Sequence, residues 1–315
     1  MKPLLHSNLC FLVVLLLFGC SSKDVLGEDE TGPNEQKKPF IESLTSEARA
    51  SVLWHSNFED RSFKSWEDEG TGHEYAGGGI FKTDNANSSL EITREMAHSG
   101  QYAALATIRN VGSPGAPKAV RLMRWTDLPW NKGGTYFPKE AYYSVFLYFP
   151  KAYDPKKPED NNPLNDGGWW NIFQFKSDNN AGSQPMAVVD VYNEGGKMYL
   201  GLVVKTYANQ DSDTHSLSYV VQQEPLPLPV GEWVHLEAFY KKATDASGAL
   251  SLWQNGNPIL EKKGFQTQFF EEGATVWGIG NYSDYIHGGK ALVYMDDAIV
   301  STSRIGAMMT PGEGQ

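Results

Sequence analysis

Apolar and polar residues alternate with a period of two along much of this chain, and helical spacing is scarce. Residues 141–149 form one such run and stop at Pro150. Residues 171–176, 187–192 and 198–207 alternate in the same way. Residues 233–240 follow Pro229-Val230-Gly231, and residues 250–254 run into Asn255-Gly256. Residues 119–125 and 291–300 add two more. A period of two sends successive side chains to opposite faces of a strand, and Asn-Gly between apolar runs signals a hairpin. Strands separated by clusters of Gly, Asn and Pro predict an all-β fold, a two-sheet antiparallel β-sandwich. Only residues 43–50 suggest a short helical turn.

The amino end departs from this pattern. Lys2 precedes an apolar run from Phe11 to Phe18, too short to span a bilayer as a permanent helix. Charge followed by a short apolar run is the layout of a secretory signal. The run ends in Leu16-Leu17-Phe18-Gly19-Cys20, which resembles the lipobox of bacterial lipoproteins. That resemblance implies cleavage after residue 19, a diacylglycerol on Cys20, and export to a bacterial membrane, facing the periplasm or the surface. Residues 20–48 are polar, with Glu28-Asp29-Glu30 and Lys37-Lys38, and read as an acylated, disordered tether. Residues 49–306 hold no second linker and no repeat, so one domain is expected there, followed by a disordered tail over 307–315. The two cysteines are Cys10 and Cys20. With Cys10 removed and Cys20 acylated, the domain has no disulfide, and its stability rests on its core.

Charge narrows the partners. The net charge is -11, and losing Lys2 with the signal makes the mature chain one unit more acidic. No basic run stands out, which argues against nucleic acid. A polyanion would need a local basic cleft against the overall field. Nine tryptophans and fifteen tyrosines exceed what a sandwich core requires, and aromatic faces pack well on sugar rings.

The segment Gly231-Glu232-Trp233-Val234-His235-Leu236-Glu237, then Gly248 to Trp253 and Asn255-Gly256, resembles the concanavalin A-like jelly rolls. A longer pattern adds Trp169-Trp170-Asn171-Ile172-Phe173-Gln174-Phe175-Lys176-Ser177, then Gly278-Ile279-Gly280-Asn281-Tyr282 and Val293-Tyr294-Met295-Asp296-Asp297. Together they resemble the heparin lyase I-like polysaccharide lyases, loosely over 52–305 and best from Trp169 onward. The implied chemistry is β-elimination at a uronate. A base removes the C5 proton, an acid serves the leaving oxygen, and cationic or hydrogen-bonding groups offset charge on the carboxylate. Lyases of that type take a neutraliser, often a histidine in Q-x-H, and a late tyrosine from the concave sheet.

Gln174 and Lys176, two apart on a strand, share a face. They give Q-x-K, a lysine where the resemblance expects histidine. Lys176 would have to be neutral to act as base; alternatively it neutralises the carboxylate while Tyr282 takes the proton. Lys176 and Tyr282 are therefore the candidate catalytic pair. Arg121 and Arg124 are three apart and face opposite ways unless a bulge intervenes, and Arg121 is the preferred neutraliser beside Gln174. Trp169, Trp170 and Tyr285, in the Gly- and Asn-rich stretches 161–170 and 281–289, are candidate sugar platforms, as is the stretch 72–79. His235 and Glu237 share a face, either as an oriented base and substrate contact or as a sheet-surface pair.

No cofactor is required by this chemistry. The jelly-roll resemblance does suggest a structural calcium between Asp296 of the last strand and Glu59, with residues 58–60 as the first strand. No histidine spacing fits zinc, and no run of closely spaced carboxylates fits a glycoside hydrolase. The leading expectation is a monomeric lipoprotein that cleaves an anionic polysaccharide. The alternative is a non-catalytic glycan-binding lipoprotein, and a third reading is an adhesion domain with no sugar site.

Overall fold

The computed structural model describes residues 37–67, 77–112, 116–155, 169–179, 182–209, 211–212, 214 and onward to 307. The expected signal, Cys20, the tether up to residue 36, and the tail beyond 307 lie outside the described residues. So do most of the stretches 72–79 and 161–170. Among the described residues, no helix is long and apolar enough to cross a membrane.

Two short helices, α1 (Phe40–Ser43) and α2 (Ser46–Ala50), precede the strands. The strands are β1 (Val52–Ser56), β2 (Gly78–Lys82), β3 (Ser88–Thr93), β4 (Ala103–Arg109), β5 (Lys118–Arg124), β6 (Glu140–Tyr148), β7 (Trp170–Asn179) and β8 (Gly182–Glu194), followed by β9 (Lys197–Tyr207), β10 (His215–Val220), β11 (Trp233–Lys241), β12 (Gly248–Gln254), β13 (Asn257–Phe265), β14 (Ala274–Ser283) and β15 (Lys290–Ser301). One sheet runs β13-β12-β11-β6-β15-β4-β3, with β1 also on β15; the other runs β10-β9-β8-β7-β14-β5-β2. Every strand pair is antiparallel, and the molecule is the two-sheet jelly roll that the alternation predicts. Asn255 (φ 49°) and Gly256 (φ 79°) turn the β12–β13 hairpin in the left-handed region, as Asn-Gly favours.

Between the sheets lies an aromatic core. Phe175 stacks on Tyr240 at 4.0 Å, and Trp277 contacts Trp54, Trp66, Tyr143 and Phe173. The residues that supply it occur at every second position of β9 and β11, leaving the intervening positions to face outward, while in β7 the adjacent Ile172 and Phe173 are both in the core.

Two expectations change. Residues 40–48 are not tether. Phe40, Leu44 and Ala48 are buried against Phe146, Ile299 and Ile305 on the outer face of the eight-stranded sheet, and Thr45 caps α2 by accepting the Ala48 N–H at 3.1 Å. Apolar residues spaced by four within a polar stretch make this docking face. Residues 58–60 are not the first strand; β1 ends at Ser56, and Phe58 turns the chain with φ 58°.

Asn281 fastens the two sheets together at the end of β14. Fully buried, it accepts from the Trp170 indole N–H (2.9 Å) and donates to the carbonyls of Ala106 and Ala291 (3.1 and 3.0 Å). Replacing it removes three hydrogen bonds and leaves the Trp170 indole N–H buried without its acceptor, so Asn281→Ala is expected to cost about 3 kcal/mol. Urea unfolding should show this as a lower midpoint with an unchanged slope.

Candidate functional site

The outward face of the seven-stranded sheet is recessed and polar. Arg121 of β5, Gln174 of β7 and Asp190 of β8 are only 5%, 5% and 3% exposed, yet none belongs to the apolar core. Alternation alone would turn Asn171 inward with Phe173 and Phe175. Instead the pairing of β7 with β8 shifts between Asn171 and Phe173. This bulge buries Ile172 and Phe173 on the same side and returns Asn171 to the outward face, opposite Asp190 on β8 and Tyr282 on β14. There Arg121 Nη2 donates to Asn171 Oδ1.

Gly280 makes room for the arginine's strand. It pairs with Arg121, sits at φ 149°, and a Cβ there would come within 2.1 Å of the Val120 carbonyl oxygen. The guanidinium crosses over Gly278, where a Cβ would lie 3.7 Å from Nη1. It ends 4.6 Å from the centre of the Tyr282 ring. The Trp169 ring meets Tyr282 edge-on at 4.5 Å. Phe81, 43% exposed on the edge strand β2, stands opposite Arg121 and adds an aromatic surface there.

Lys176 is half-buried on the same face, opposite Val276. Burial lowers its pKa, Arg121 lowers it further, and Asp178 partly opposes the shift. Burial also lowers Arg121 to about 10, against the pull of Tyr282 and Asp190, so it stays cationic at neutral pH. Asp190 moves the other way. Burial pushes its carboxyl up to about 7, with Lys205, Arg121 and the Asn171 hydrogen bond holding it back. Lys205 of β9 is half-buried, and burial lowers its pKa while Asp190 raises it. The Tyr219 hydroxyl of β10 stands over Gly201, where a Cβ would be 2.3 Å from it.

The structure thus brings Arg121, Gln174, Lys176 and Tyr282 to one recess, with Trp169 at its rim. Tyr285 sits half-exposed in the loop after β14, where its N–H donates to Ser283 Oγ at 3.1 Å. Two candidates lie elsewhere. Trp170 is fully buried between Phe149 and Tyr153, so it is core and not a sugar platform. His235 is 2% exposed on the outer face of the opposite sheet, beneath Phe146 and Gly306, and burial takes its pKa down to about 3. It cannot touch a substrate in the recess. Its neighbour Glu237 is a structural acceptor for Arg304 and for the N–H groups of Ile305 and Gly306.

The two carboxylates expected to hold calcium, Glu59 and Asp296, are engaged by backbone amides. Glu59 Oε1 accepts from the N–H groups of Gln101 and Tyr102 at 2.8 and 2.9 Å. Asp296 accepts from the N–H groups of His98, Ser99 and Asp297. The two carboxylates thereby hold the ends of the 98–102 turn. Burial, then Asp297, keeps the Asp296 carboxyl well above the usual range. A bulge in β15, with Asp297 at φ 46°, brings Asp297 round to His98 Nδ1 at 2.8 Å instead of to the opposite face. Among the described residues, no group of three or more His, Cys, Asp or Glu side chains is arranged to hold a metal.

Asn171, Asp190, Lys205 and Tyr219 were not among the candidates. Asp190 and Lys205 are the polar members of two alternating runs, and that signal could have found them. Asn171 carries no such signal, because the bulge reverses its facing.

A family model described as polysaccharide lyase matches residues 61–298. No curated protein matches by sequence. Among solved structures, the endo-β-1,4-glucuronan lyase from the fungus Trichoderma reesei has a TM-score of 0.57 at 12% identity, covering 80% of this chain and 96% of that one. A marine alginate lyase from Aplysia kurodai has a TM-score of 0.48 at 10% identity, covering 80% of this chain and 100% of that one. At these identities the likeness is one of fold.

The buried Asp190 has a consequence for stability. Its folded pKa, about 7, lies above the roughly 3.9 of an unfolded aspartate. Its contribution is therefore complete below about pH 4 and is lost as pH rises through 7. Asp190→Asn should gain stability relative to the parent over that window, read from urea midpoints at a series of pH values. A constant difference would mean that Asp190 does not titrate there.

Proposed function

The chain belongs to the polysaccharide lyase family, and we propose that it cleaves a uronate-containing polysaccharide by β-elimination. The observation that carries this reading is the recess: Arg121, Asn171, Gln174, Lys176 and Tyr282, from three adjacent strands, share one face of a chain whose net charge is -11. A concentration of cations against the overall field suits an anionic ligand. A glucuronan lyase of the same fold is consistent with a uronate as that ligand.

In this reading Arg121, fixed by Asn171, faces the uronate carboxylate together with Gln174 and stabilises the charge that develops when C5 loses its proton. Lys176 in its neutral form takes that proton; its lowered pKa makes the neutral form accessible. The C5 electron pair forms the C4–C5 double bond, the bond from C4 to the glycosidic oxygen breaks, and the Tyr282 hydroxyl donates a proton to the leaving oxygen.

Ultraviolet absorbance of the unsaturated uronate product tests this with glucuronan, alginate, ulvan, heparin and hyaluronan. Lys176→Ala and Tyr282→Phe are each expected to slow turnover about a hundred- to ten-thousand-fold. Because Lys176 acts when neutral, the rate should rise with pH and level off below the ordinary lysine value of 10.5. A rate that falls as Lys176 deprotonates would make it the neutraliser and Tyr282 the base. No product from any polymer, with one of them retarding the protein in gels, would assign the face to glycan capture.

The amino-terminal segment supports a second proposal, that the protein is exported and held to a bacterial membrane by a lipid on Cys20. Cys20→Ser should move the protein from the membrane to the soluble fraction of a producing bacterium. An unchanged distribution would sink the idea.

A further inference from the structure

Lys205 is the cation of the recess that the proposed chemistry does not use. It rises from β9 on the outward face, since its neighbours Leu202 and Val204 fill the core. Asp190, 3% exposed on the intervening strand β8, lies between Lys205 and Asn171, the residue that holds Arg121. One carboxylate oxygen of Asp190 is buried without a hydrogen-bond partner, as is the hydroxyl of Tyr219 beside it. Among the described residues, no carboxylate pairs directly with the Lys205 ammonium. The Asp190 carboxyl thus lies near both cations and makes no direct ion pair with Lys205.

The spacing bears on what the pair can hold. The Arg121 guanidinium is fastened above β7, and Lys205 stems from β9. Gly201 is the residue of β9 level with Asn171 and Asp190, and Lys205 lies four residues along from it, so the two stems stand roughly 16 Å apart on a diagonal across the sheet. A 1,4-linked pyranose chain running along that diagonal from Asn171 past Asp190 would present a further carboxylate to the Lys205 side chain while Arg121 holds the first. Tyr219, pressed over Gly201, walls one side of the path.

We propose that Lys205 is a second carboxylate-binding point, so that the recess selects polymers carrying a further uronate carboxylate a few sugars from the one that reacts. This rests on the lyase reading and deepens it. It sets polyuronates and polymers of uronate-containing disaccharide repeats apart from chains in which uronates are sparse. Lys205 acts through binding, away from the proton transfers.

The test compares the full chain with Lys205→Met, which keeps the stem and removes the charge, and with Lys205→Arg. The substrates are a polyuronate and the same polymer partly methyl-esterified, so that free carboxylates are isolated. On the free polymer, Lys205→Met should raise KM about tenfold, the worth of one charge-assisted contact, with kcat changed by less than about twofold. Its dependence on salt should weaken, and Lys205→Arg should restore KM. On the esterified polymer the parent and Lys205→Met should be alike. An unchanged KM on the free polymer would overturn the assignment, and so would an equal loss of kcat on both substrates, which is the mark of a structural role. If the parent makes no unsaturated product, the lyase reading fails separately. The same comparison made by calorimetric binding of the free polymer then decides Lys205: weaker binding by Lys205→Met supports it, and equal binding overturns it.

Discussion

The site depends on one break in alternation. A strand whose side chains alternate strictly cannot put Asn171 and Gln174 on the same face, because they are three positions apart. The bulge in β7 supplies the missing reversal. It is held in place from below, where Trp170 is locked into the core through the Asn281 side chain. The packing of an indole inside the sandwich thereby fixes the carboxamide that holds Arg121 outside it.

Electrostatics then shape the recess. Three cations on one face would repel one another, and each would be pushed toward neutrality by burial. Asp190 relieves this from beneath, steadying Arg121 and Lys205 while itself lifted toward neutral pH. Lys176 and Lys205 share one pattern: burial and Arg121 act against each charge, and a carboxylate, Asp178 for Lys176 and Asp190 for Lys205, partly restores it.

The sandwich itself was legible because its signal is local. Runs of period two, Gly- and Asn-rich breaks and an Asn-Gly turn each predict their own element. The shared face of Gln174 and Lys176, and the preference for Arg121 over Arg124, follow from the same rule. Arg124 turns inward to the carbonyls of Thr126 and Ser65. What was not legible depends on contacts between distant segments. Trp170 and Trp169 are adjacent in sequence and equally aromatic, yet only the first finds a core. His235 shares a face with Glu237, as expected, but that face is covered by α1, α2 and residues 304–306. Glu59 and Asp296 read as a calcium pair, and nothing local in the sequence announces that both accept from amides of the 98–102 turn.

The two short helices also decide which outer face of the sandwich is covered. They dock on the outer face of the eight-stranded sheet, with Phe40 set against Phe146 and His98, while the polar recess opens from the other sheet. With α1 and α2 packed over Phe146 and Ile299, that outer face is closed to a ligand, and the buried polar side chains of β5, β7 and β8 lie on the opposite sheet.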